Sequence, residues 1–585
     1  MLVTDYIIEY LRKQENLSHI FLYIGGTNAP ILNSIAHAKG VTYITHRHEE
    51  FASIAAKAYA MSADKLGVAT SMSGPGATHM VTGIIDAWFD SIPTLYLTGQ
   101  VTRGTYKFDN PSRQIGYQET DIISIVKSIT KDAILEINEK EVPNTLRKLI
   151  SKAKTLRQGP VLLDVPFDVL REDIPEDGLD IPAEPKSPPP INDIVVKAFL
   201  DLLAESKRPL LIIGGGVRTQ KSRDLLIKFA NTLKIPVVTS LIGKGSFPND
   251  NPLYFGFIGA YGNRYANITM ANCDLLIALG TRLDSRQTGN TKYFARAAKK
   301  VHVEIDRNEI NNNVKVDLPI HGDIDEFMQK VLTAVEEADD SKYSEWMDYF
   351  KKVKKEFDVT KDYQGSEELV NPKILLQELS KQVEGPAMYV VDIGNNAMYG
   401  AQSLIVKEKQ RFIVSGGLGT MGFALPGSIG AYYGAPKGSQ IFAIMSDGGL
   451  QMSSQELETI SHNNLPIKII VLNNKVLGLM RVFQNENYDG VHVATEDGYS
   501  VPNLEKLAAA YDIKYKKVST TEEAVNYVPN FIDEKGPILL EVEMHKDWTG
   551  YPKTRRGLPS EYQNPAISDE KLKEFMLIPL YNENK

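Results

Sequence analysis

An aspartate and an asparagine in the last third of the chain have the types and the spacing to bind a divalent metal ion together. Asp447 ends the segment "QIFAIMSD" and Asn474 ends "IKIIVLNN", 27 residues later. This separation suits one strand–helix–strand crossover, which would bring both side chains to the carboxyl ends of two parallel strands. Open α/β sheets bind ligands at that edge. Because carboxylate and amide oxygens suit Mg²⁺, which usually keeps phosphate oxygens as well, the spacing predicts a metal and phosphate site.

Two glycines directly after Asp447 favour the same interpretation. Gly448 and Gly449 would let the backbone approach a diphosphate, and the start of the following helical segment, "SSQELETISHNN", would favour its negative charge. The alternative is a strand-ending turn, because Asp-Gly pairs commonly form turns, followed by an unrelated Asn-Asn pair. Residue types and spacing leave both interpretations open.

The whole segment "SDGGLQMSSQELETISHNNLPIKIIVLNN" resembles the thiamine diphosphate signature, in which Gly-Asp-Gly is followed by a spacer and Asn-Asn. Ser446 replaces the usual first glycine, while the aspartate and both flanking apolar segments are kept. By this resemblance the metal ligands are Asp447, Asn474 and Val476.

Thiamine chemistry requires a second group far from the metal, a carboxylic acid at N1′ of the aminopyrimidine ring. The segment "THRHEEFASIAAKAYA" resembles the Arg-His-Glu helix of this family, which makes Glu49 the catalytic acid. Glu50 stands where relatives often have Gln and is secondary. The alternative for Glu49 is an acidic first-turn residue that complements the helix dipole.

Two glycine-rich segments of the last third resemble the cofactor loops of acetolactate synthase large subunits. In "SGGLGTMGFALPGSIGA", the resemblance implies that Gly419 offers its carbonyl to the 4′-amino group and that Met421 wedges the cofactor into a bent conformation. In "VVDIGNNAMYG", Gly394, Asn395 and Asn396 occupy the diphosphate-binding turn, where this family usually has Gly-Gln-His. Both amides can donate hydrogen bonds to phosphate oxygens.

The middle of the chain resembles the flavin domain of FAD-containing acetolactate synthases. The segments "IIGGGV", "SLIGKGSFP", "GFIGAYGNRYAN", "GTRLDSRQTG" and "VEIDRNEI…HGDI" occur in the order seen there. The resemblance implies an FAD site lined by Gly214, Gly215, Gly216, Arg282, Asp284, Asp306 and Asp323. The alternative is a domain that keeps the fold and lacks the flavin.

The predicted substrate pocket departs from acetolactate synthase at three positions. Thr27 stands where Ala is usual, Leu479 where Met is usual, and Phe483 where a Trp shapes the acceptor pocket. Gln118 matches the active-site Gln of the family, and Arg286 matches the Arg expected to meet the carboxylate of the second keto acid.

A longer loop, "TRGTYKFDNPSRQI", brings Arg103, Lys107 and Arg113 near the expected mouth of the active site. It is either a solvated surface loop or, beside a roomier pocket, a basic element that admits a larger anionic acceptor.

These resemblances predict a thiamine diphosphate- and Mg²⁺-dependent carboligase. They also imply FAD as a cofactor and leave open whether the flavin is retained. Pyruvate would be decarboxylated and its hydroxyethyl unit transferred to a second carbonyl, giving 2-acetolactate when that carbonyl is another pyruvate. One alternative keeps the donor and uses a nucleotide-linked keto-sugar as acceptor, and another is a pyruvate oxidase-type flavoenzyme. A non-catalytic binding subunit on the same fold is disfavoured because Glu49, Asp447 and Asn474 occur together.

The order of predicted strands and helices that must position these residues indicates an α/β fold of three doubly wound parallel-sheet domains. Short runs that are apolar at consecutive positions alternate with helical patterns, as in parallel sheets buried on both faces. A pyrimidine-binding domain over 1–171 and a proline-rich linker over 172–193 precede a central FAD-type, Rossmann-like domain over 194–335. A charged linker over 336–368, a diphosphate- and Mg²⁺-binding domain over 369–547 and a polar tail over 548–585 complete the chain.

Composition limits the partners. The 585 residues are 43% hydrophobic with a net charge of −8, which argues against nucleic acid, and no run is long enough to span a membrane. The single cysteine, Cys273, excludes an intrachain disulfide, and without a signal-peptide pattern a cytoplasmic location is expected. The family resemblance implies a homodimer or homotetramer with active sites between chains, and leaves open a small regulatory subunit.

Overall fold

The computed structural model describes residues 1–339, 341–360 and 368–581. Within these ranges the strands form three six-stranded sheets and one two-stranded sheet. Every strand pair inside the three large sheets is parallel, and helices connect most consecutive strands. The predicted α/β fold of three doubly wound parallel sheets is confirmed.

The first sheet has the strand order β2-β1-β3-β4-β6-β5. Its strands are β1 (His19–Leu22), β2 (Thr42–Thr45), β3 (Gly67–Met72), β4 (Thr94–Gln100), β5 (Asp132–Leu135) and β6 (Pro160–Pro166). The accompanying helices are α1 (Val3–Gln14), α2 (Ala29–His37), α3 (Glu49–Ala63), α4 (Pro75–His79), α5 (Val81–Asp90), α6 (Ile122–Val126) and α7 (Val142–Lys154). Short 3-10 helices cover Arg103–Thr105, Lys127–Ile129 and Val169–Arg171.

The second sheet has the order β12-β11-β10-β7-β8-β9. Its strands are β7 (Pro209–Ile213), β8 (Val237–Thr239), β9 (Tyr254–Phe257), β10 (Leu275–Leu279), β11 (Lys299–Glu304) and β12 (Leu318–His321). Its helices are α8 (Asp193–Glu205), α9 (Gln220–Leu233), α10 (Arg264–Asn272), α11 (Ser285–Thr288), α12 (Ile324–Ala334) and α13 (Ser344–Glu356).

The third sheet has the order β14-β13-β15-β16-β18-β17. Its strands are β13 (Ala387–Val391), β14 (Gln410–Val414), β15 (Gln440–Ser446), β16 (Ile467–Asn473), β17 (Lys514–Val518) and β18 (Ile538–Glu543). Its helices are α14 (Pro372–Gln382), α15 (Asn395–Ser403), α16 (Ala424–Gly434), α17 (Asp447–Ser453), α18 (Glu456–His462), α19 (Gly478–Asn487), α20 (Leu504–Ala510) and α21 (Thr521–Asp533). The tail adds the antiparallel pair β19 (Lys553–Thr554) and β20 (Gln563–Asn564) and helix α22 (Asp569–Lys573).

Each large sheet reverses its strand order once, and each reversal opens a crevice at the carboxyl ends of the strands. In the third sheet the reversal falls between β13 and β15, and in the second between β7 and β10. In the first sheet it falls between β1 and β3. The segments that follow these strands are the ones that carry most of the predicted site residues.

Two segments differ from their sequence predictions. Helix α13 lies inside the stretch 336–368 that was predicted to be a linker, and its Trp346, Phe350 and Val353 belong to the core of the central domain. Their i, i+4, i+7 spacing makes one apolar helix face within a strongly charged stretch. The tail that was predicted to be polar also returns to that core, through Leu572 and Phe575.

The first and third domains meet through two helices packed at backbone distance. A Cβ atom added to Gly430 of α16 would lie 2.0 Å from the carbonyl oxygen of Ala55 in α3. The small residues of α3 therefore serve close helix packing, as their pattern predicts. Nearby, Nδ1 of His46 lies 2.7 Å from the buried carboxylate of Glu456 in α18. Among the described residues, none of the helices combines the length and apolarity needed to cross a bilayer.

Candidate active site

Asp447 and Asn474 follow adjacent parallel strands at the crevice of the third sheet. Strands β15 and β16 pair in register up to Ser446 and Leu472, so the two predicted ligands leave the same edge. Asp447 begins helix α17, which starts six residues earlier than the sequence indicates. Its carboxylate accepts the N–H of Gly448 at 2.7 Å and the N–H of Lys475 at 2.8 Å. Burial raises the pKa of Asp447 to about 6.

The side chains of Asn395 and Asn474 come together at Gly478, and the residue after Asn474, Lys475, donates its N–H to the Asp447 carboxylate. A Cβ atom added to Gly478 would lie 2.9 Å from Nδ2 of Asn474 and 3.0 Å from Nδ2 of Asn395. Oδ1 of Asn395 is buried and has no hydrogen-bond partner in the described parts of the chain. The carboxylate of Asp447 and the amides of Asn395 and Asn474, one of which has an unsatisfied oxygen, are groups that fit a hard cation and a diphosphate. Val476 is buried next to Asn474, whose Oδ1 lies 3.4 Å from the Val476 nitrogen.

The loop that carries Gly419 and Met421 borders the same crevice. Gly419 has φ 78°, a left-handed conformation that favours glycine, and only Ile393 lies near a Cβ built there, at 3.9 Å. The terminal methyl of Met421 lies 3.3 Å from the Cβ position of Gly448. The Cβ side of Gly419 therefore borders open space, while Met421 reaches the Gly448 turn. Gly394, directly before α15, also has no atom of the described residues within 4 Å of an added Cβ.

Asp392 ties these loops together, although the sequence analysis did not single it out. Its buried carboxylate accepts the N–H groups of Ile393, Gly422 and Ala424 at 2.7, 3.1 and 3.3 Å. A Cβ at Gly449 would lie 2.9 Å from Oδ2 of Asp392, so this position has no room for a side chain, and its role in cofactor binding stays a prediction. Burial raises the pKa of Asp392 to about 7. The sequence did indicate this residue, because Asp392 follows the apolar run "MYVV" in the same way that Asp447 follows its own strand.

Glu49 lies on the first domain, at the first position of helix α3, which begins where the sequence predicts. Glu49 is buried, with 8% of its surface exposed, and its carboxylate lies 3.0 Å from Nδ1 of His79. Oε1 of Glu49 is 3.3 Å from the Cβ position of Gly76. Gln118 contacts the same turn, with its Cβ 2.9 Å from the Cβ position of Gly74. The structure therefore brings Glu49 and Gln118 to one turn, after strand β3, and adds His79 as an unpredicted neighbour.

A cavity of about 670 Å³ lies between all three domains and joins several predicted sites. Its central-domain wall includes five of the seven residues predicted to bind FAD, namely Gly215, Gly216, Arg282, Asp284 and Asp323. Its lining also includes Arg286 of the central domain and Gly394, Gly419 and Leu479 of the third domain. Glu49, Asp447 and Asn474 are not among its lining residues.

The other two predicted FAD residues, Gly214 and Asp306, do not line the cavity, and their part in FAD binding stays a prediction. A Cβ at Gly214 would lie 2.2 Å from the carbonyl oxygen of Gly280, so this glycine allows two loops to cross. Asp306 pairs with Arg157 of the first domain at 3.0 Å. Within the cavity, Nε2 of Gln287 is buried without a hydrogen-bond partner among the described residues. A glycine-bordered cavity of this size with an unsatisfied donor fits a dinucleotide such as FAD.

Two of the four predicted substrate residues, Arg286 and Leu479, line the cavity, and the other two do not. The guanidinium of Arg286 is exposed, and no acidic side chain in the described ranges lies within ion-pair distance of it, so it is available for a carboxylate. Leu479 lines the cavity. Phe483 lies outside the cavity lining and packs edge-on against Tyr488 at 5.9 Å. The Thr27 hydroxyl donates to the Gly99 carbonyl at 2.7 Å, so it is used inside the first domain.

The longer loop does not present all three of its basic side chains to a ligand. Arg103 pairs with Asp168 at 2.7 Å, Glu172 at 3.3 Å and Glu139 at 3.5 Å. Its charge is therefore balanced by three carboxylates. This favours the surface-loop interpretation over a basic element for a larger anionic acceptor.

Comparison with known proteins agrees with the geometry. The thiamine pyrophosphate enzyme N-terminal TPP binding domain matches residues 1–125, the central domain matches 196–331, and the C-terminal TPP binding domain matches 392–542. The domain boundaries predicted from the sequence extend beyond these matches and remain predictions.

Similar curated proteins cover nearly the whole chain. The acetolactate synthase large subunit of Cyanidium caldarium is 34% identical over 94% of each chain. The probable acetolactate synthase large subunit of Methanocaldococcus jannaschii is 35% identical over 91% of this chain and 90% of its own. The acetolactate synthase large subunit of Corynebacterium glutamicum is 34% identical over 93% of this chain and 87% of its own. These names favour neither the keto-sugar nor the oxidase alternative. The chain belongs to the thiamine pyrophosphate enzyme family and is an acetolactate synthase-like enzyme.

Proposed function

We propose that this enzyme is a Mg²⁺- and thiamine diphosphate-dependent carboligase that decarboxylates pyruvate and transfers the resulting two-carbon unit to a second pyruvate, giving 2-acetolactate. The observation that carries the proposal is the convergence of Asp447, Asn474 and Asn395 beside the Gly419–Met421 loop. Thiamine diphosphate, when bound, supplies a carbon nucleophile for the keto group and stabilises the negative charge left by the departing CO2.

The residues divide the work according to their chemistry. Asp447, Asn474 and the backbone at Val476 would hold the metal, with Asn395, Asn396 and the Gly394 turn around the diphosphate. Glu49 would hold a proton at the ring nitrogen of the aminopyrimidine, in a largely buried position where water does not compete for it. Met421 and the Gly419 carbonyl would set the cofactor's shape.

Arg286 is the candidate for recognising the acceptor. Arg286 lines the cavity that Gly419 and Leu479 also line, and a guanidinium can bind a carboxylate through two parallel hydrogen bonds. A keto acid anchored there would have its carbonyl turned towards the cofactor loop. We assign Gln118, on the turn next to Glu49, to the same reaction space.

We also propose a homodimer with active sites between chains, in which Glu49 of one chain faces the metal ligands Asp447 and Asn474 of the other. Helix α19, beside Asn474, has no buried residue, and its Met480 and Phe483 are exposed. On the first domain, Ile24 and Tyr117 are exposed near the Glu49 turn. Two apolar surfaces of this kind, one at each half-site, are what a second copy would cover.

Three further assignments belong to the same proposal. FAD would occupy the cavity wall formed by Gly215, Gly216 and Arg282, with Gln287 as a hydrogen-bond donor. Because the relatives are named large subunits, a smaller regulatory subunit is a proposed partner. A cytoplasmic location suits the single buried cysteine, Cys273.

The first experiment measures cofactor binding and product formation separately. Calorimetry with thiamine diphosphate and Mg²⁺ should give saturable binding to the intact protein, and pyruvate alone should then yield acetolactate. No binding would refute the cofactor assignment. Binding with CO2 release only when another acceptor is added would refute pyruvate as the acceptor. A flavin absorbance spectrum of the purified protein tests the FAD assignment independently.

The second experiment tests the shared site. Glu49→Gln and Asp447→Asn should each abolish turnover in pure form. If sites form between chains, mixing the two variants creates dimers with one intact site, and activity should return to about a quarter of the wild-type value at equal proportions. A mixture that stays inactive although light scattering shows exchange of subunits would refute the shared site.

A further inference from the structure

A buried lysine in the middle of helix α3 faces two carboxylates of helix α5. Nζ of Lys57 lies 2.9 Å from Asp86 and 2.5 Å from Asp90, and all three side chains are inaccessible to solvent. Asp86 and Asp90 are four residues apart on one helix, so both point to the same face. Nζ also lies 5.0 Å from the centre of the Phe423 ring. A buried charged group is stable only when it is paired, so this cluster constrains whatever it contacts.

The two carboxylates hold the start of the predicted cofactor loop, in the third domain. Asp90 accepts the N–H of Gly416 at 3.1 Å and the N–H of Gly417 at 2.7 Å. Asp86 accepts the hydroxyl of Ser415 at 2.6 Å. Three consecutive loop residues are thus fixed by charged acceptors, which form stronger hydrogen bonds than neutral ones do.

Ser415 extends this connection to the residues that shape the cofactor. Its hydroxyl oxygen accepts the N–H of Gly419 at 3.1 Å and the N–H of Thr420 at 2.9 Å. The hydroxyl proton is donated to Asp86, so its oxygen is oriented as an acceptor towards the loop. A continuous path of hydrogen bonds runs from Lys57 through Asp86 and Ser415 to the backbone of Gly419.

The ammonium group of Lys57 lies against both buried carboxylates and offsets their mutual repulsion. Burial, with the neighbouring Asp90 as a further cause, raises the pKa of Asp86 to about 6 even with Lys57 present. Without the ammonium, two buried carboxylates would repel each other or share a proton. Arg218, which lies near Asp90 and donates to the Ser91 carbonyl, would compensate one of them only in part. Either outcome would loosen the acceptors on which the loop depends.

We propose that Lys57 is a positioning residue that, through Asp86, Asp90 and Ser415, fixes the loop carrying Gly419 and Met421. This inference rests on the proposed function, because the loop matters only if it shapes thiamine diphosphate. Lys57 contacts neither cofactor nor substrate and acts entirely through the loop.

The test compares Lys57→Met with Lys244→Met. Lys244 is a matched control because it is also a buried lysine that joins two domains, but its hydrogen-bond partners, the Leu404 carbonyl and the Asn249 side chain, lie outside the loop. For each variant we would measure the thermal midpoint, thiamine diphosphate affinity by calorimetry, kcat, and KM for pyruvate. Lys57→Met should weaken cofactor binding and lower kcat by about tenfold each with KM for pyruvate little changed. Lys244→Met should lower only the thermal midpoint.

Ser415→Ala supplies a second variant in case Lys57→Met does not fold. It removes only one hydroxyl group, so we expect this variant to fold. It should reproduce the loss of kcat and cofactor affinity. In the double variant the losses should be far from additive, because both changes break one path. Equal effects of Lys57→Met and Lys244→Met, unchanged cofactor affinity in Ser415→Ala, or fully additive losses would each overturn the proposal. Wild-type protein that binds no thiamine diphosphate would instead refute the proposed function.

Discussion

Replacing Gly430 with alanine tests whether backbone contact between α3 and α16 fixes the junction of the first and third domains. The new Cβ would lie 2.0 Å from the carbonyl oxygen of Ala55, whereas ordinary contact begins near 3.4 Å. The helices would therefore have to separate by about 1.4 Å, since a backbone carbonyl cannot rotate away. That separation would also stretch the hydrogen bonds from Ser415 to Asp86 and from Gly417 to Asp90 and the His46–Glu456 pair, which cross the same junction.

The expected change in the free energy of unfolding of Gly430→Ala combines two opposing effects. Overpacking costs about 1–3 kcal/mol, and a clash with backbone belongs at the upper end of that range. Alanine in a helix gains about 1 kcal/mol over glycine. The net loss of about 2 kcal/mol corresponds to a fall of roughly 4–8 °C in the midpoint of the affected domains.

Gly427→Ala is the matched control, because Gly427 lies in the same helix and gains the same propensity. Its Cβ would meet the Phe423 ring and a Val390 methyl at 3.1 Å, contacts that side chains can relieve. Differential scanning calorimetry of both variants, with turnover measured in parallel, gives the comparison. If Gly430→Ala were as stable as Gly427→Ala, the inference that backbone contact sets this junction would be wrong.

Three further predictions follow from individual side chains. Asp447→Asn keeps the shape of the predicted metal ligand and removes its charge, so the Mg²⁺-dependent binding of thiamine diphosphate, measured by calorimetry after chelation, should weaken at least tenfold; unchanged binding would contradict its role. The raised pKa of Asp392, about 7, means that the folded chain keeps a proton that the unfolded chain loses near pH 4. Its contribution to stability is therefore full below pH 4 and is lost as pH rises to 7, by up to about 1.4 kcal/mol per pH unit. Asp392→Asn should flatten this dependence in thermal unfolding between pH 5 and 8, and a parallel curve would refute the assignment. Arg103→Ala should lower the thermal midpoint by a few degrees at most, since its partners are partly exposed, and should leave the acceptor preference unchanged when a panel of keto compounds is assayed.

The sequence predicted the fold well because the signals were local and repeated. Every apolar run of consecutive residues that indicated a buried strand contains one, and Glu49 begins its helix as expected. The spacing of Asp447 and Asn474 correctly indicated adjacent parallel strands, since one crossover has a narrow range of lengths. The roles of these side chains remain predictions.

Contacts between distant segments could not be predicted in the same way. Lys57 looked like one polar residue in an alanine-rich helix, because its two carboxylates come about 30 residues later and its loop more than 350 residues later. Phe575 gave no periodic signal, although it enters the core of another domain. Thr27 suggested a polar pocket wall, but its hydroxyl is satisfied by Gly99, a partner that only the sheet topology brings near.

The return of the tail to the central domain has a consequence for synthesis. Residues 194–335 form most of that domain, yet Leu572 and Phe575 complete its core. On the ribosome the central sheet would therefore emerge more than two hundred residues before the side chains that close it. Until then its apolar surface would be exposed to chaperones or to other nascent chains, so a ribosome that stops early in the tail releases a polypeptide with one unsealed domain.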